Sequence, residues 1–447
     1  MKRIGSIFII IFAGCISVLF GQKTQNTDSN AVERQAYIQK HKPLAFLKAI
    51  AFDGKVEITF NKSKWYPANE DYNDLFDTIR IYRKQVDFNF YKDGKEFFDG
   101  ITCSDADIIY KGFIKQEKNK PYLYNDKTVS LGDTYVYWVA AAKGDPTGPY
   151  PIKVRDPRIW WSQSKISEEM HNLQKSYPEL VKVTVAGKTR KNKDILGIEV
   201  GKSNKKVALL GAAHASESGP EIIIPVIKLL LEDNKEIFNN SSIIAIPCIN
   251  LDERQSAVDG TPWYLRRNVI GVDLNRNFPG NWEEISYLYG GSSANPGGGT
   301  YRGPAPASEP ETEAVVSFLK EHQPSVVLSF HHLASVAGRC LWAPKAAAEN
   351  KAVRENFQKI YNIYVEGYCR DYSDEDPNHN WLKFSATPGS IPLWCFKEFG
   401  IQAFDVEWAG HPTMEKSLTD ETDVELLERN QKQNAAGILN LMKNLKD

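Results

Sequence analysis

The 447-residue sequence predicts an α/β fold behind a β-sandwich, and three observations carry that expectation. From Leu44 to about Asp156 the chain alternates apolar and polar residues or runs β-branched and aromatic, broken by Gly, Asp, Asn and Pro turns. From about Arg158 the pattern changes to alternating helices and strands, which predicts a helix-flanked sheet with substantial parallel content. Four apolar runs in that second part, "VALLGAAH", "SIIAIPCINLD", "SVVLSFHH" and "IQAFDVE", each end in residues able to do chemistry. The expected boundaries are 1–21 for an export signal, 22–42 for a linker, 43–156 for the sandwich and 157–447 for the α/β unit.

Composition suits this plan. With 42% apolar and 11% aromatic residues, the chain can bury sizeable cores. Lys and Arg number 55 against 56 for Asp and Glu, so no basic field invites nucleic acid, and function must sit in a local site.

At the N-terminus, Lys2 and Arg3 precede the apolar stretch Ile4 to Phe20, the charge-then-apolar order of an export signal with cleavage near Gly21. An uncleaved anchor is the alternative. Ala13-Gly14-Cys15 resembles the end of a bacterial lipoprotein signal, but apolar residues continue past Cys15 and Phe12 opens that motif poorly. Nothing later is long and apolar enough to span a bilayer, so the mature chain is expected to be secreted or periplasmic. Removing the signal leaves Cys103, Cys248, Cys340, Cys369 and Cys395, an odd number at wide spacing that suggests neither a zinc knuckle nor a redox pair. Cys248 lies inside "IIAIPCIN" and reads as a small buried hydrophobe.

The polar stretch 22–42 reads as a linker. In the sandwich, "KVEITF", "IRIYRK" and "TYVYWVAAA", followed by "GDPTGPYP", resemble a fibronectin type III domain of about seven strands, with Tyr135 or Tyr137 as its packing tyrosine. A spacer or docking module is the plain expectation for such a unit, and no partner is readable.

In the α/β unit, ligands are expected in the crevice beyond the carboxyl ends of the strands, where His214, Asn250 and Asp252, His331 and His332, and Glu407 would converge. Two histidines and a carboxylate with one open position form a catalytic zinc shell, and His214, Glu217 and His331 could supply it. The chain lacks the helical H-E-x-x-H arrangement, so the site would be assembled from distant strand ends. Zinc would acidify water and polarise a carbonyl, while Glu407 stands ready to take the water's proton. A single strand-end histidine is in most proteins a hydrogen-bonded structural residue, and Glu407 alone could be half of an ion pair. Two of only eight histidines at separate strand ends, with carboxylates at others, shift the balance towards a site.

The segments "GAAHASESGPE", "YLRRNVIGVDLNRNF", "YRGP", "SEPET", "VVLSFHH" and "PGSIPLWCFKEFGIQAFDVEWAG" occur in the order and spacing of the zinc metallocarboxypeptidases related to pancreatic carboxypeptidase, which 158–447 resembles nearly throughout. That resemblance implies an α/β/α sandwich with a mixed, mostly parallel eight-stranded sheet and one zinc per chain. It implies His214, Glu217 and His331 as ligands, Glu407 as general base and Arg266 as the group that polarises the scissile carbonyl. Asn275 and Arg276 would hold the substrate's terminal carboxylate, as a guanidinium fork is suited to do. The substrate would be a peptide or protein C-terminus.

The chain departs from the family at several of these positions. His331 is followed by His332-Leu333 rather than Ser-Tyr, and a one-residue slip would make His332 the ligand. Phe384 falls where the family has a mobile tyrosine and lacks its hydroxyl, and Ser216 stands where digestive members carry an extra arginine. The turn holding Ile391 runs one residue longer than usual, so the specificity pocket is only loosely defined; an apolar or neutral terminal side chain is the expectation. A cell-wall peptidase acting on γ-glutamyl or diaminopimelate peptides, and a silent binding protein on the same fold, are the alternatives.

Overall fold

The computed structural model describes residues 26–66, 70–89, 93–286, 291–331, 340–374, 380–385, 387–407 and 423–445. The expected signal with Cys15, and His332, lie outside them. No helix among the described residues is long and apolar enough to cross a membrane.

The N-terminal unit holds seven strands among the described residues: β1 (Leu44–Phe52), β2 (Lys55–Lys62), β3 (Ile79–Val86), β4 (Asp107–Gly112), β5 (Tyr122–Asp126), β6 (Thr134–Ala141) and β7 (Thr147–Lys153). They form two antiparallel sheets, in the orders β1-β2-β5 and β4-β3-β6-β7. Alternation in β2 turns Val56, Ile58 and Phe60 inward, where they meet Ile79, Ile81, Tyr137 and Val139 of the other sheet. β6 is buried along its whole length. Its second face, with Val136 and Trp138, is covered by Phe88 and Phe98, and Trp263 of the α/β unit packs on that cluster.

Within the stretch expected as a linker, residues Asn26–Lys40 form helix α1. Good helix formers such as Glu33, Arg34, Ala36 and Gln39 supply propensity without an apolar stripe, so periodicity did not reveal it. The helix is docked by buried Ile38, by Tyr37 against the sandwich core and by an ion pair from Arg34 to Asp74.

A charge network locks the sandwich. Asp126, 1% exposed, accepts hydrogen bonds from Arg83 Nη1 (2.8 Å), Tyr137 Oη (2.8 Å), Thr128 N (2.9 Å) and Thr128 Oγ1 (2.7 Å). Burial alone would raise its pKa, but Thr128, Tyr137 and Arg83 together hold the carboxyl below the usual carboxylate range. Asp126→Ala should therefore cost about 3 kcal/mol, because the buried Tyr137 hydroxyl and the Arg83 guanidinium lose their acceptor. Thermal unfolding of wild type and variant checks this. The gap should hold at neutral pH and shrink as acid protonates the wild-type carboxylate, since a depressed folded pKa stabilises only above it.

The second unit is built on an eight-stranded sheet in the order β14-β13-β15-β12-β10-β11-β9-β8. Its strands are β8 (Val181–Lys188), β9 (Asp194–Val200), β10 (Lys206–Gly211), β11 (Ser242–Ile246), β12 (Val326–Phe330), β13 (Cys340–Pro344), β14 (Leu382–Ser385) and β15 (Gln402–Glu407). The four apolar runs become β10, β11, β12 and β15, neighbours that all run parallel, while β13 and β9 enter antiparallel at either side. Both faces are buried. Along β10, Val207 and Leu209 enter one core while Ala208 and Leu210 enter the other.

The first core is covered by helices α2 (Gln163–Ser176), α3 (Pro220–Asp233), α6 (Lys351–Cys369) and α8 (Val424–Asn444), and the second by α5 (Pro310–His322) and α7 (Ile391–Phe399). A short α4 (Leu251–Val258) follows β11. The result is the expected three-layer, mixed arrangement. Short strands buried on both faces read as unbroken apolar runs, which is why they were legible. Cys248 is buried as expected, and burial pushes its thiol up to about 12.

Candidate functional site

Parallel strands β10, β12 and β15 deliver their carboxyl ends to one side of the sheet, and the loops after them carry the candidate residues. His214 and Glu217 follow β10 in a turn closed by Glu217 N donating to His214 O (3.2 Å). His331 comes directly after β12, and its N–H is held by Val406 O of β15 (3.1 Å).

The three side chains are buried, at 3%, 1% and 1% exposure, and one ligand atom from each lies within 4.8 Å of the others. His214 Nδ1 is 2.8 Å from Glu217 Oε1, His331 Nδ1 is 3.0 Å from Glu217 Oε2, and the two Nδ1 atoms are 3.3 Å apart. Each imidazole is backed at its far nitrogen: His214 Nε2 lies 3.1 Å from Asp273 Oδ1, and His331 Nε2 lies 3.1 Å from Asp405 Oδ1. A carboxylate behind Nε2 keeps a proton there and turns the Nδ1 lone pair inward, as a metal ligand requires.

Electrostatics point the same way. Burial alone would raise the Glu217 carboxyl, but the two imidazoles hold it down to about 2. Burial would lower His331, yet Asp405 and Glu217 hold it well above the ordinary histidine range. Surroundings that favour positive charge among two imidazoles and a carboxylate suit a divalent cation of zinc's ligand preference.

The other candidates gather around this cluster. Tyr264 donates to Glu217 Oε1, and Arg266 Nε donates to Asp273 Oδ2 (2.8 Å), the same carboxylate that backs His214. Burial, then the charges of Glu217 and Glu407, push the Tyr264 phenol well above its ordinary range; half-buried Glu407 closes β15 nearby. Asn275 Nδ2 donates to Asp405 Oδ2 (2.9 Å), and its Oδ1 accepts from Ile391 N (2.9 Å). Arg276, 5% exposed, donates from Nη1 to Asn275 O (2.6 Å), and burial pulls its pKa down.

Behind Arg276 lies Gly389 at φ +73°, where a Cβ would come within 2.0 Å of Arg276 O. Its N–H donates to Gly280 O (2.7 Å) and its carbonyl accepts from Phe278 N (2.9 Å), so the 387–391 turn is hooked to the segment carrying Arg276.

The expected substrate contacts Phe384 and Ile391 lie on β14 and at the start of α7. Phe384 sits on edge strand β14, half-buried against the first core and two strands from β15. The Ile391 side chain is fully buried in the second core; it reaches Asn275 through its backbone. Ser216 is also buried, its Oγ accepting from Leu265 N (2.8 Å).

Neither Asp273 nor Asp405 is among the residues expected from sequence, although Asp405 stands two residues before Glu407 on the same strand face. Asn277 is a further omission. It accepts from Glu309 N (3.1 Å) and donates to Arg302 O (2.8 Å), Ala305 O (3.0 Å) and Ser308 Oγ (3.0 Å), tying "GVDLNRNF", "YRGP" and "SEPET" into one knot. Arg254, 1% exposed, does the same for the metal loop, donating to Ala215 O and Glu217 O (both 3.1 Å) while paired with Glu221.

Known proteins resemble the chain over part of its length. The chain is 30% identical over 180 residues to a metallocarboxypeptidase A-like protein of Trichophyton verrucosum, covering 36% of this chain and 42% of that one. It is 38% identical over 169 residues to murein peptide amidase A of Escherichia coli, covering 35% and 61%. The matched stretches thus span less than two thirds of these relatives' own lengths.

Among solved structures, bovine thrombin-activatable fibrinolysis inhibitor in complex with tick carboxypeptidase inhibitor superposes with a TM-score of 0.52 at 16% identity, over 64% of this chain and 98% of that one. Carboxypeptidase A from Helicoverpa armigera gives 0.52 at 17% identity, over 64% and 74%. At such identities the likeness speaks for the fold. The zinc carboxypeptidase family pattern matches residues 166–427, more than half of the 447, and the chain belongs to that family.

Proposed function

We propose that the protein hydrolyses the C-terminal peptide bond of peptides or proteins at a single zinc held by His214, Glu217 and His331. The supporting observation is the convergence of two carboxylate-backed imidazoles and a buried carboxylate beside Arg266 and Arg276. When bound, zinc supplies a Lewis acid that acidifies water and polarises a carbonyl.

Glu407 would accept the water's proton and later return it to the leaving amine. Arg266, oriented by Asp273, would stabilise the oxyanion as it develops. Arg276 and Asn275 would grip the terminal carboxylate, a charge-assisted pairing that sets the last residue in register with the scissile bond. Asp405, engaged by His331 and Asn275, serves the metal shell in this reading, which leaves the preference for an apolar or neutral terminal side chain intact.

The similarity to murein peptide amidase A favours a second reading, a cell-wall peptide amidase with the same metal shell and base. Residues 43–156 fit a fibronectin type III domain: the sheet orders β1-β2-β5 and β4-β3-β6-β7 suit that topology, and Tyr135 Oη accepts from Ser130 N (3.1 Å) five residues upstream. Export through the signal at 1–21 belongs to the same proposal and rests on the sequence alone.

Metal analysis is the first test. The purified chain should carry one zinc, His214→Ala and His331→Ala should lose most of it, and chelation should abolish hydrolysis of a blocked dipeptide with a free carboxylate. Full occupancy in His331→Ala with loss in His332→Ala would shift the register by one. Cleavage of murein tripeptide with none of the dipeptide would favour the amidase reading.

A further inference from the structure

The N-terminal sandwich touches the α/β unit at one segment that matters to the chemistry. Ala51 N donates to Asp259 O (2.9 Å) and Lys153 N to Gly260 O (2.8 Å), so β1 and β7 add the 259–260 backbone to the sandwich. Arg155 Nη1 donates to Ala257 O (2.6 Å) and Thr261 O (2.8 Å), and Lys48 Nζ lies 3.6 Å from Asp259. Gly260 has φ +110°, and a Cβ there would stand 2.5 Å from Ile152 Cγ1, so the two backbones meet with no room between them.

Trp263 completes the seam. It packs on the Val136–Trp138 face of β6, 6.4 Å from the Phe98 ring, with Lys95 Nζ 5.2 Å above its own. Tyr264 and Arg266 are one and three residues further on, the first donating to Glu217 and the second to Asp273.

We propose that the sandwich is a working part of the catalytic centre, holding the 257–263 segment so that Tyr264 and Arg266 meet Glu217 and Asp273, with Trp263 and Arg155 as positioning residues. This rests on the carboxypeptidase reading in that Arg266 is the group being aimed. It replaces the spacer role expected for such a domain. Arg276 and Asn275 are held independently, by the Gly389 hook and by Asp405, so a loosened seam should spare the grip on substrate and degrade the chemical step. A displacement of about 1 Å from a reactive geometry costs on the order of 10²-fold in rate.

A second strand of the seam runs through Trp160. Arg155 stacks on this ring at 4.4 Å and Arg254 at 4.9 Å, and Arg254 holds the carbonyls of Ala215 and Glu217. The junction residue that grips the 257–261 segment thus also braces the arginine beneath the metal loop.

The test uses full-length Trp263→Ala and Trp263→Phe, followed by amide hydrogen exchange and steady-state kinetics on a peptide with a free C-terminus. In Trp263→Ala, exchange should rise at Ala51, Lys153 and 264–267, and kcat should fall on the order of 10²-fold with KM and zinc content unchanged. Trp263→Phe, keeping an aromatic ring on the seam, should recover most of the loss. Raised exchange with normal kcat would overturn the positioning role, and unchanged exchange would overturn the clamp itself.

Should Trp263→Ala fail to fold, Arg155→Met carries the same readouts, since it keeps an apolar stem of similar length and removes the Nη1 bonds to both Ala257 O and Thr261 O. If wild type hydrolyses no peptide, the peptidase reading falls, while exchange at 264–267 alone upholds or overturns the clamp.

Discussion

Glu407→Gln is expected to keep one zinc per chain and near-normal KM while kcat drops by about 10²–10⁴-fold, the range for removing a positioned general base. Gln preserves shape and the end of β15 but cannot accept a proton. The site frames this residue closely. Asp405, two positions earlier on the same strand face, is committed to His331 and Asn275, and Glu217 is committed to both imidazoles and to Tyr264. Glu407, at the end of β15, is the residue to which the proposed function assigns the water's proton. Metal analysis with single-turnover kinetics checks the result; turnover within a few-fold of wild type would assign the base elsewhere.

Arg276→Ala separates a carboxypeptidase from every zinc hydrolase that shares its metal shell. The guanidinium is 5% exposed and burial already disfavours its charge, so a substrate carboxylate arriving there gains a desolvated partner offering two parallel N–H donors. Removing one side of such a pair costs about 2–5 kcal/mol. That loss in kcat/KM should appear with free C-terminal peptides and nearly vanish with C-terminal amides, which wild type should already cleave poorly. Equal cleavage of amidated and free peptides by wild type would sink the carboxypeptidase reading even with zinc and Glu407 in place, and would favour the amidase.

Much of this site was legible because strand ends are marked by composition. Val207 to Leu210, Val326 to Phe330 and Ala403 to Val406 are apolar runs ending at His214, His331 and Glu407, and the sheet unites His214 with His331, 117 positions apart in sequence. The seven-stranded sandwich was legible from alternation, as in β2. Helix α1 was not, since propensity without an apolar stripe leaves no period to read. Asp273 escaped because its partner His214 lies 59 positions away, and the two roles of Asp405 need three-dimensional neighbours to distinguish. Phe384 rests on a positional match alone; it lies on edge strand β14, paired with Ala343 of β13.

The Gly389 hook also bears on any attempt to redesign substrate choice. The turn leading into Ile391–Phe399 is bonded at both its amide and carbonyl to Gly280 and Phe278, and no side chain fits between Gly389 and Arg276. In the proposed function Arg276 anchors the substrate carboxylate, and the hook ties that residue to the turn. Lengthening, shortening or grafting this turn from a relative would drag Arg276 with it, so altered selectivity would arrive entangled with weakened binding of every substrate. The tolerant entry points are the side chains on the far side of the hook, where a change of shape or charge leaves the carboxylate anchor undisturbed.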